Sequence, residues 1–213
     1  MVMELQVEGL ALRKGYNLLI SNLYFALKPG EGMSLTGENG VGKTTLLRTL
    51  AGFSAPFAGR IAFVENGAQL ESEDVRARNI HVLGHHDALS PSRTVAQELA
   101  FQAKFLGGEP AAAIAALRLE TLLDLETRYL SAGQKRRLSC ARLLMAKREL
   151  WLLDEPMAPL DADHRALLAR LMQAHLAEGG MLIAAVHDPL PFQTRDLRLT
   201  RPTREQQEAA IGV

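Results

Sequence analysis

This sequence has a single cysteine, no net charge and no long apolar segment. One Cys among 213 residues cannot form an intrachain disulfide or a cysteine cluster for zinc, and it is typical of a reducing compartment. Lys and Arg total 24, as do Asp and Glu, so the charge balance gives no support to nucleic-acid binding. We therefore expect no nucleic acid among the partners of this protein.

The strongest apolar run, Leu150 to Leu153, ends at Asp154 and is far too short to span a bilayer. The first residues, MVMELQVEGLALRKG, have no basic segment followed by an apolar one, so no signal peptide is visible. We therefore expect a cytoplasmic protein that reaches a membrane only through a partner.

Length and composition predict one globular domain over residues 1–213, with 47% hydrophobic and 23% charged residues. Apolar patterns predict strands at 3–7, 10–13, 23–27, 33–36, 60–64, 80–83, 150–153 and 181–186. Helices are predicted over 45–50, 94–106, 111–125, 134–146 and 163–177. This order favours an α/β fold with antiparallel strands first, a parallel core after them, and a small helical insert at about 90–145.

A phosphate-binding loop is the clearest motif. The segment GENGVGKT, from Gly37 to Thr44, follows a predicted strand and precedes a predicted helix, as G-x-x-x-x-G-K-[ST] requires. Its glycines let backbone N–H groups point at phosphate oxygens, Lys43 reaches the β and γ phosphates, and the Thr44 hydroxyl is a ligand for Mg²⁺. The residues expected to bind the nucleotide here are Gly37, Glu38, Asn39, Gly40, Val41, Gly42, Lys43, Thr44 and Thr45.

Two adjacent carboxylates end the apolar run at Leu150 to Leu153. Ligands of open α/β sheets bind at the carboxyl ends of the strands, where this run delivers Asp154 and Glu155. A nucleotide needs a metal, and phosphoryl transfer needs a positioned water. We therefore expect Asp154 to hold Mg²⁺ through water and Glu155 to polarise the attacking water.

A third motif, LSAGQ from Leu130 to Gln134, lies about twenty residues before the carboxylates. Together with the phosphate loop it resembles the ATP-binding-cassette (ABC) ATPase family, whose signature is LSGGQ; Ala132 is the one change. The resemblance implies a P-loop NTPase fold with a mixed-sheet core, ATP hydrolysis, and a head-to-tail homodimer in which Ser131, Gly133 and Gln134 bind the partner's ATP. A Ser and a Gly that open a helix also suit an anion.

Further positions follow from the resemblance. Leu160 and Asp161 match the D-loop of the dimer interface, and His187, directly after the strand at 181–186, matches the switch histidine that contacts the γ-phosphate. The family stacks an aromatic ring on adenine in the region of Lys14 and Tyr16. Spacing from Gly37 points nearer Lys14, so the adenine contact stays open.

His86 stands where the resemblance implies a glutamine that touches Mg²⁺ and relays to the membrane partner. Imidazole accepts one hydrogen bond but lacks the carbonyl acceptor and NH₂ donor that an amide carries side by side. A histidine here also makes the coupling between ATP hydrolysis and the membrane partner sensitive to pH. His81, His85 and His86 also suggest a zinc site. Adjacent residues on an extended segment face opposite ways and no fourth ligand is evident, so we do not expect one.

The basic residues Lys135, Arg136, Arg137, Arg142, Lys147 and Arg148 suggest nucleic acid or lipid, but a solvated helix face after the signature explains them more simply. Cys140, on the same helix, is predicted to be a buried thiol.

Within the ABC family, three features are similar to the ATP-binding subunit of the haem exporter of cytochrome c maturation: the short chain, L-G-H-x at 83–86, and LSAGQxRR at 130–137. The resemblance implies a peripheral protein at the cytoplasmic face of the bacterial inner membrane, partnered by integral-membrane permease subunits, that does not bind haem itself. Another ABC exporter (lipoprotein, drug or polysaccharide) and a soluble ABC ATPase of translation or DNA repair remain the alternatives.

Overall fold

The computed structural model describes the backbone of residues 3–211 and the side chains of residues 3–208. Its strands are β1 (Met3–Lys14), β2 (Asn17–Leu27), β3 (Gly32–Thr36), β4 (Ala58–Glu65), β5 (Ala68–Gln69), β6 (Ile80–Leu83), β7 (Leu150–Asp154), β8 (Met181–Ala185) and β9 (Arg195–Arg198). Its α-helices are α1 (Lys43–Leu50), α2 (Ser72–Asn79), α3 (Val95–Leu106), α4 (Ala111–Ala116), α5 (Ala132–Cys140), α6 (Arg142–Met145), α7 (Ala162–Ala177) and α8 (Arg204–Ile211).

The first sheet is antiparallel, in the order β2-β1-β4-β5. Two strands were expected at 3–7 and 10–13, but β1 is continuous and changes register with β2 between Val7 and Leu10. Gly9 adopts a φ of 56° there, so one extra residue is accommodated as a bulge rather than as a strand end. The strand predicted at 23–27 also begins earlier, at Asn17.

The second sheet is parallel, in the order β6-β7-β8-β3-β9. Both β7 and β8 are buried along their whole length, which is why their sequences are continuously apolar. The carboxyl ends of β3, β6, β7 and β8 lie at one edge of this sheet, and the segments with the predicted site residues follow them directly. β9 is polar and was not predicted; it pairs with β3 at the sheet edge.

Two apolar clusters enclose the parallel sheet. One contains residues of β1, α1 and the central strands, including Leu5, Leu46 and Leu152. The other packs the opposite face against the helices of the insert and α7, including Leu99, Leu138 and Leu182. α1 therefore lies between the two sheets, and the insert covers the far side of the parallel one.

The insert contains the largest errors of the sequence-based assignment. The helix expected at 111–125 ends at Ala116, and Arg118 turns the chain with a φ of 53°. Leu117, Leu119 and Leu122 are all buried. Leu119 and Leu122 lie two and five residues after Leu117, so a helix would not place all three on one face. The helix expected at 134–146 begins at Ala132 and is interrupted at Ala141 before α6.

α3 has sequence signals for both of its ends. The Thr94 hydroxyl accepts a hydrogen bond from the Gln97 N–H, and the Gln97 side chain accepts one from the Thr94 N–H, which forms a capping box. Gly107 ends the helix in the left-handed conformation. Neither α2 nor α8 was predicted. Among the helices of residues 3–211, none is long and apolar enough to cross a bilayer.

Candidate nucleotide site

The phosphate loop joins β3 to α1 at the edge of the parallel sheet. Gly37 has a φ of 131° and a Cβ there would lie 2.4 Å from the Leu199 carbonyl oxygen, so no larger residue fits. Gly42 has a φ of 116° directly before α1 begins at Lys43. The Lys43 ammonium donates hydrogen bonds to the carbonyl oxygens of Gly37, at 2.7 Å, and Glu38, at 3.3 Å. The lysine therefore lies folded over the start of its own loop.

Thr44 and Asp154, predicted as magnesium ligands, are in direct contact. The Thr44 hydroxyl donates to the Asp154 carboxylate at 2.8 Å, and Asp154 is buried at the end of β7. Mg²⁺ prefers hard oxygen ligands, which a hydroxyl and a carboxylate supply. The donor set therefore fits the metal.

Glu155 and His187 form a second pair. The Nε2 atom of His187 lies 2.8 Å from the Oε1 atom of Glu155, and both side chains reach solvent. Glu155 adopts a φ of 48°, which is rare for a residue with a side chain. Its N–H donates to the Ala185 carbonyl at 3.0 Å. This backbone turns the Glu155 side chain out of the buried strand toward the sheet edge.

The signature residues lie on the surface at the start of α5. Ser131 is the N-cap, and its hydroxyl accepts from the Gln134 N–H at 3.2 Å while the Gln134 side chain accepts from the Ser131 N–H at 2.8 Å. A Cβ on Gly133 would lie 3.0 Å from the carbonyl oxygen of Pro159, directly before the predicted D-loop. Ser131 is exposed, Gly133 and Gln134 are half-buried, and no hydrogen bond joins these three residues to the phosphate loop within the described residues.

The three histidines near 81–86 diverge. His81 is buried and its Nε2 lies 2.8 Å from the Ala146 carbonyl oxygen; burial lowers the pKa of His81 to about 4. His85 and His86 are exposed, with ring centroids 5.4 Å apart. Over the described residues, no group of three His, Cys, Asp or Glu side chains is placed to hold a metal, and His86 makes no hydrogen bond to Thr44 or Asp154.

The expectation of a solvated basic helix face is wrong for most of α5 and α6. Arg136 is buried, and its guanidinium donates to the backbone carbonyls of the carboxylate segment at 154–156. Arg137 and Arg142 also donate to backbone carbonyls. The sequence predicts surface positions for these arginines because the carbonyl groups that accept their hydrogen bonds lie far away in sequence and cannot be seen from it. The expectation of a buried Cys140 is confirmed, and burial raises the pKa of its thiol to about 12.

Lys14 and Tyr16 lie at and just after the end of β1, in the turn that leads to β2, and both are exposed. Tyr16 has 86% of its surface exposed. Close by, a cleft of about 320 Å³ is lined by Leu18, Val41 and residues of the C-terminal segment, including Arg201. Arg201 also lies 3.4 Å from the Glu38 carboxylate of the phosphate loop.

Comparison with known proteins agrees with this geometry. The family model described as ABC transporter matches residues 20–158. Cytochrome c biogenesis ATP-binding export protein CcmA of Rhodopseudomonas palustris strain HaA2 is 47% identical over 200 residues, 92% of this chain and 98% of the relative. The protein of that name from Rhizobium meliloti strain 1021 is 42% identical over 197 residues, 89% of this chain and 94% of the relative.

Solved structures confirm the α/β fold. An ATP-binding protein of a putative ABC transporter from Pyrococcus furiosus superposes with a TM-score of 0.78 at 24% identity, over 92% of this chain and 97% of its own. A dimeric bacterial ABC transporter cassette gives a TM-score of 0.78 at 20% identity, over 92% and 94% of the two chains. From its family match and its CcmA relatives, the chain belongs to the ABC transporter family, as an ATP-binding subunit of the CcmA group.

Proposed function

We propose that this chain is the ATP-hydrolysing subunit of an ABC transporter that energises haem export, or release of a haem-loaded chaperone, for c-type cytochrome maturation. The observation that carries the proposal is the meeting of Thr44 with Asp154 and of Glu155 with His187 at one sheet edge, in a chain whose relatives are cytochrome c biogenesis export proteins. One domain over residues 1–213, with a helical insert at about 90–145, performs this role.

The phosphates of ATP bind at the loop from Gly37 to Thr45. Its backbone N–H groups and the N-terminus of α1 surround the anion, and Lys43 leaves the carbonyls of Gly37 and Glu38 to contact the β and γ phosphates. Thr44 and Asp154 would hold Mg²⁺, Asp154 through water, and the ion would supply positive charge beside the phosphates.

Glu155 orients the attacking water and accepts its proton on a carboxylate oxygen. His187 contacts Oε1 of that carboxylate at 2.8 Å, which fixes the glutamate rotamer and leaves Oε2 for the water. The same imidazole is close enough to the sheet edge to meet the γ-phosphate. Hydrolysis therefore depends on both residues, with Glu155 as the base.

A second copy of the chain completes each site. Ser131, Gly133 and Gln134 are presented outward at the start of α5, where they meet the γ-phosphate of a partner's ATP in a head-to-tail homodimer. A Cβ on Gly133 would lie 3.0 Å from the carbonyl oxygen of Pro159, the residue before the D-loop, so we expect the signature and the D-loop to reach the interface together.

The membrane partner docks on an aromatic groove of about 440 Å³ that is lined by α2, β6, α3 and the residues directly after α1. Three phenylalanines along it, Phe53, Phe101 and Phe105, are 61%, 50% and 80% exposed. Exposed aromatic patches of this kind mark interaction sites. We assign the groove to an integral-membrane permease subunit of a cytochrome c maturation complex, which places this chain peripherally at the cytoplasmic face of the inner membrane. Haem is handled by the membrane subunits, not by this chain.

A complementation experiment tests the proposal. A strain that carries only the Lys43→Ala form is expected to lose c-type cytochromes and to retain b-type cytochromes. Lys147→Ala is the matched control, because the Lys147 side chain is 83% exposed and its ion pair, with Glu178 at 3.7 Å, lies on the surface; this strain is expected to keep both cytochrome types. Normal levels of c-type cytochromes in the Lys43→Ala strain overturn the proposed role in haem export. ATP hydrolysis is tested separately, by measuring phosphate release from the purified protein.

A further inference from the structure

The most heavily hydrogen-bonded side chain near the site is one that the mechanism above does not use. Arg136, on α5, is 2% exposed. Its five N–H donors meet five acceptors: the carbonyl oxygens of Gly84, Asp154, Glu155 and Pro156, and the Asp87 carboxylate. A buried guanidinium is stable only when its donors are satisfied in this way.

The acceptors lie where two neighbouring strands separate. β6 pairs with β7 only as far as Leu83 with Leu153, and β6 then leaves the sheet at Gly84. From that point Asp154, Glu155 and Pro156 have no strand partner on the β6 side. Arg136 fills this gap and bonds both chains, to the Gly84 carbonyl at 2.8 Å and to the Glu155 carbonyl at 2.8 Å.

The Glu155 carbonyl belongs to a strained residue. With its φ of 48°, Glu155 holds a backbone conformation that is unfavourable for a residue with a side chain, so the surrounding structure must fix it. On the β8 side, its N–H bonds the Ala185 carbonyl. On the β6 side, the corresponding support comes from Arg136.

Arg136 also fastens this strand end to the loop at 84–87, which carries His86. Ser139, also on α5, and Arg142, the first residue of α6, donate to the Asp87 carbonyl at 3.0 Å and 3.1 Å. Asp87 in turn accepts from Arg136 at 3.1 Å. Side chains of α5, the helix that begins with the signature, therefore form hydrogen bonds to both the 84–87 loop and the carboxylate segment at 154–156.

We propose that Arg136 is a positioning residue for ATP hydrolysis, which takes the place of a strand partner for Asp154 and Glu155 and ties both to the 84–87 loop. This inference rests on the proposed function. Lysine in its place keeps the charge but loses the planar fork of donors, so it cannot bond both chain segments. Glu155 then loses its fixed position while the phosphate loop is untouched.

The experiment compares Arg136→Lys with Arg137→Lys in the full-length chain purified with its membrane subunits. Arg137 is the next residue of α5, but its guanidinium donates to the carbonyls of Leu117 and Arg118 in the insert, away from the carboxylate segment. We expect Arg136→Lys to lower kcat about tenfold or more, since loss of bonds to buried acceptors has effects of this size, with KM for ATP within about twofold. Arg137→Lys is expected to keep both values.

Asp87→Asn provides a second variant, which removes one acceptor charge at a partly exposed position. It is expected to lower kcat less than Arg136→Lys, and the double variant to resemble Arg136→Lys alone, because the two residues act through one contact. A kcat near the parent value in Arg136→Lys, or a fall matched by lost ATP binding, overturns the inference alone. Absence of ATP hydrolysis by the parent protein overturns the proposed function as well.

Discussion

His187 and Glu155 approach to 2.8 Å across the ends of two neighbouring strands. Glu155 follows the last residue of β7, and His187 lies two residues beyond the end of β8. The register pairs Asp154 with Ala185, so the geometry of the sheet itself brings the base and the histidine together. A one-residue slip between these strands would separate the two residues and move the side chains of one strand to the opposite face of the sheet.

Glu155→Gln is expected to abolish most ATP turnover and to leave ATP binding intact. The amide keeps the size of the side chain but cannot accept a proton, and loss of a general base typically lowers a rate by about 10²–10⁴-fold. Phosphate release measured beside equilibrium nucleotide binding checks this. Unchanged turnover in the variant removes Glu155 from the mechanism.

Mixed dimers test whether the sites are shared. Lys43→Ala disables the phosphate loop of its own subunit, and Ser131→Arg obstructs the outward face of α5, where Ser131 is exposed. In a mixture of the two variants, a mixed dimer retains one site that joins an intact loop to an intact signature. We expect ATPase activity in the mixture above that of either variant alone.

The control for that mixture is each variant mixed with the parent protein at the same total concentration. If the two variants together show no more activity than either does separately, while the parent mixtures remain active, the model of one independent shared site is wrong.

The predicted part of the site is local in sequence. Gly37, Gly42 and Lys43 lie within seven residues, and the two glycines have φ values of 131° and 116°, which residues with a Cβ rarely adopt. Asp154 and Glu155 end a strand whose burial is visible as an unbroken apolar run. Motifs of this kind, which lie within a few consecutive residues, can be identified from the sequence alone.

The unpredicted part depends on contacts between distant segments. Arg136 bonds residues 20 positions later and 52 positions earlier, and its sequence neighbourhood looks like any charged helix. β9 is polar because it lies at a sheet edge, where pairing with β3 replaces burial as the stabilising interaction. In the insert, left-handed Arg118 ends the helical geometry that the Ala-rich sequence favours.

His86→Gln is expected to leave ATP affinity nearly unchanged and to alter the turnover stimulated by the membrane subunits. His86 is exposed and has no hydrogen bond to Thr44 or Asp154 in the described structure, and it stands where the resemblance implies a glutamine. Equal stimulated turnover of the parent and of His86→Gln with the membrane subunits present contradicts this role.

Acid is expected to destabilise the folded chain through His81. Burial lowers its pKa from 6.5 to about 4, reinforced by the positive charges of Arg148 and Arg142, although the bond to the Ala146 carbonyl acts in the opposite direction. Between these two values the unfolded chain binds a proton that the folded chain does not. The free energy of unfolding therefore falls as pH decreases from about 6.5 to 4, by ~3 kcal/mol at most from this residue.

Urea unfolding of the parent and of His81→Gln at pH 7.5 and pH 5 measures that contribution. Glutamine does not titrate and its amide can still donate to the Ala146 carbonyl, so the variant should lose less stability between the two pH values, by ~2 kcal/mol. Some acid sensitivity persists in the variant, because burial also lowers the pKa of His175. Equal losses in the two proteins contradict the assignment, and an NMR titration that finds His81 protonated in the folded chain near pH 6 does so independently.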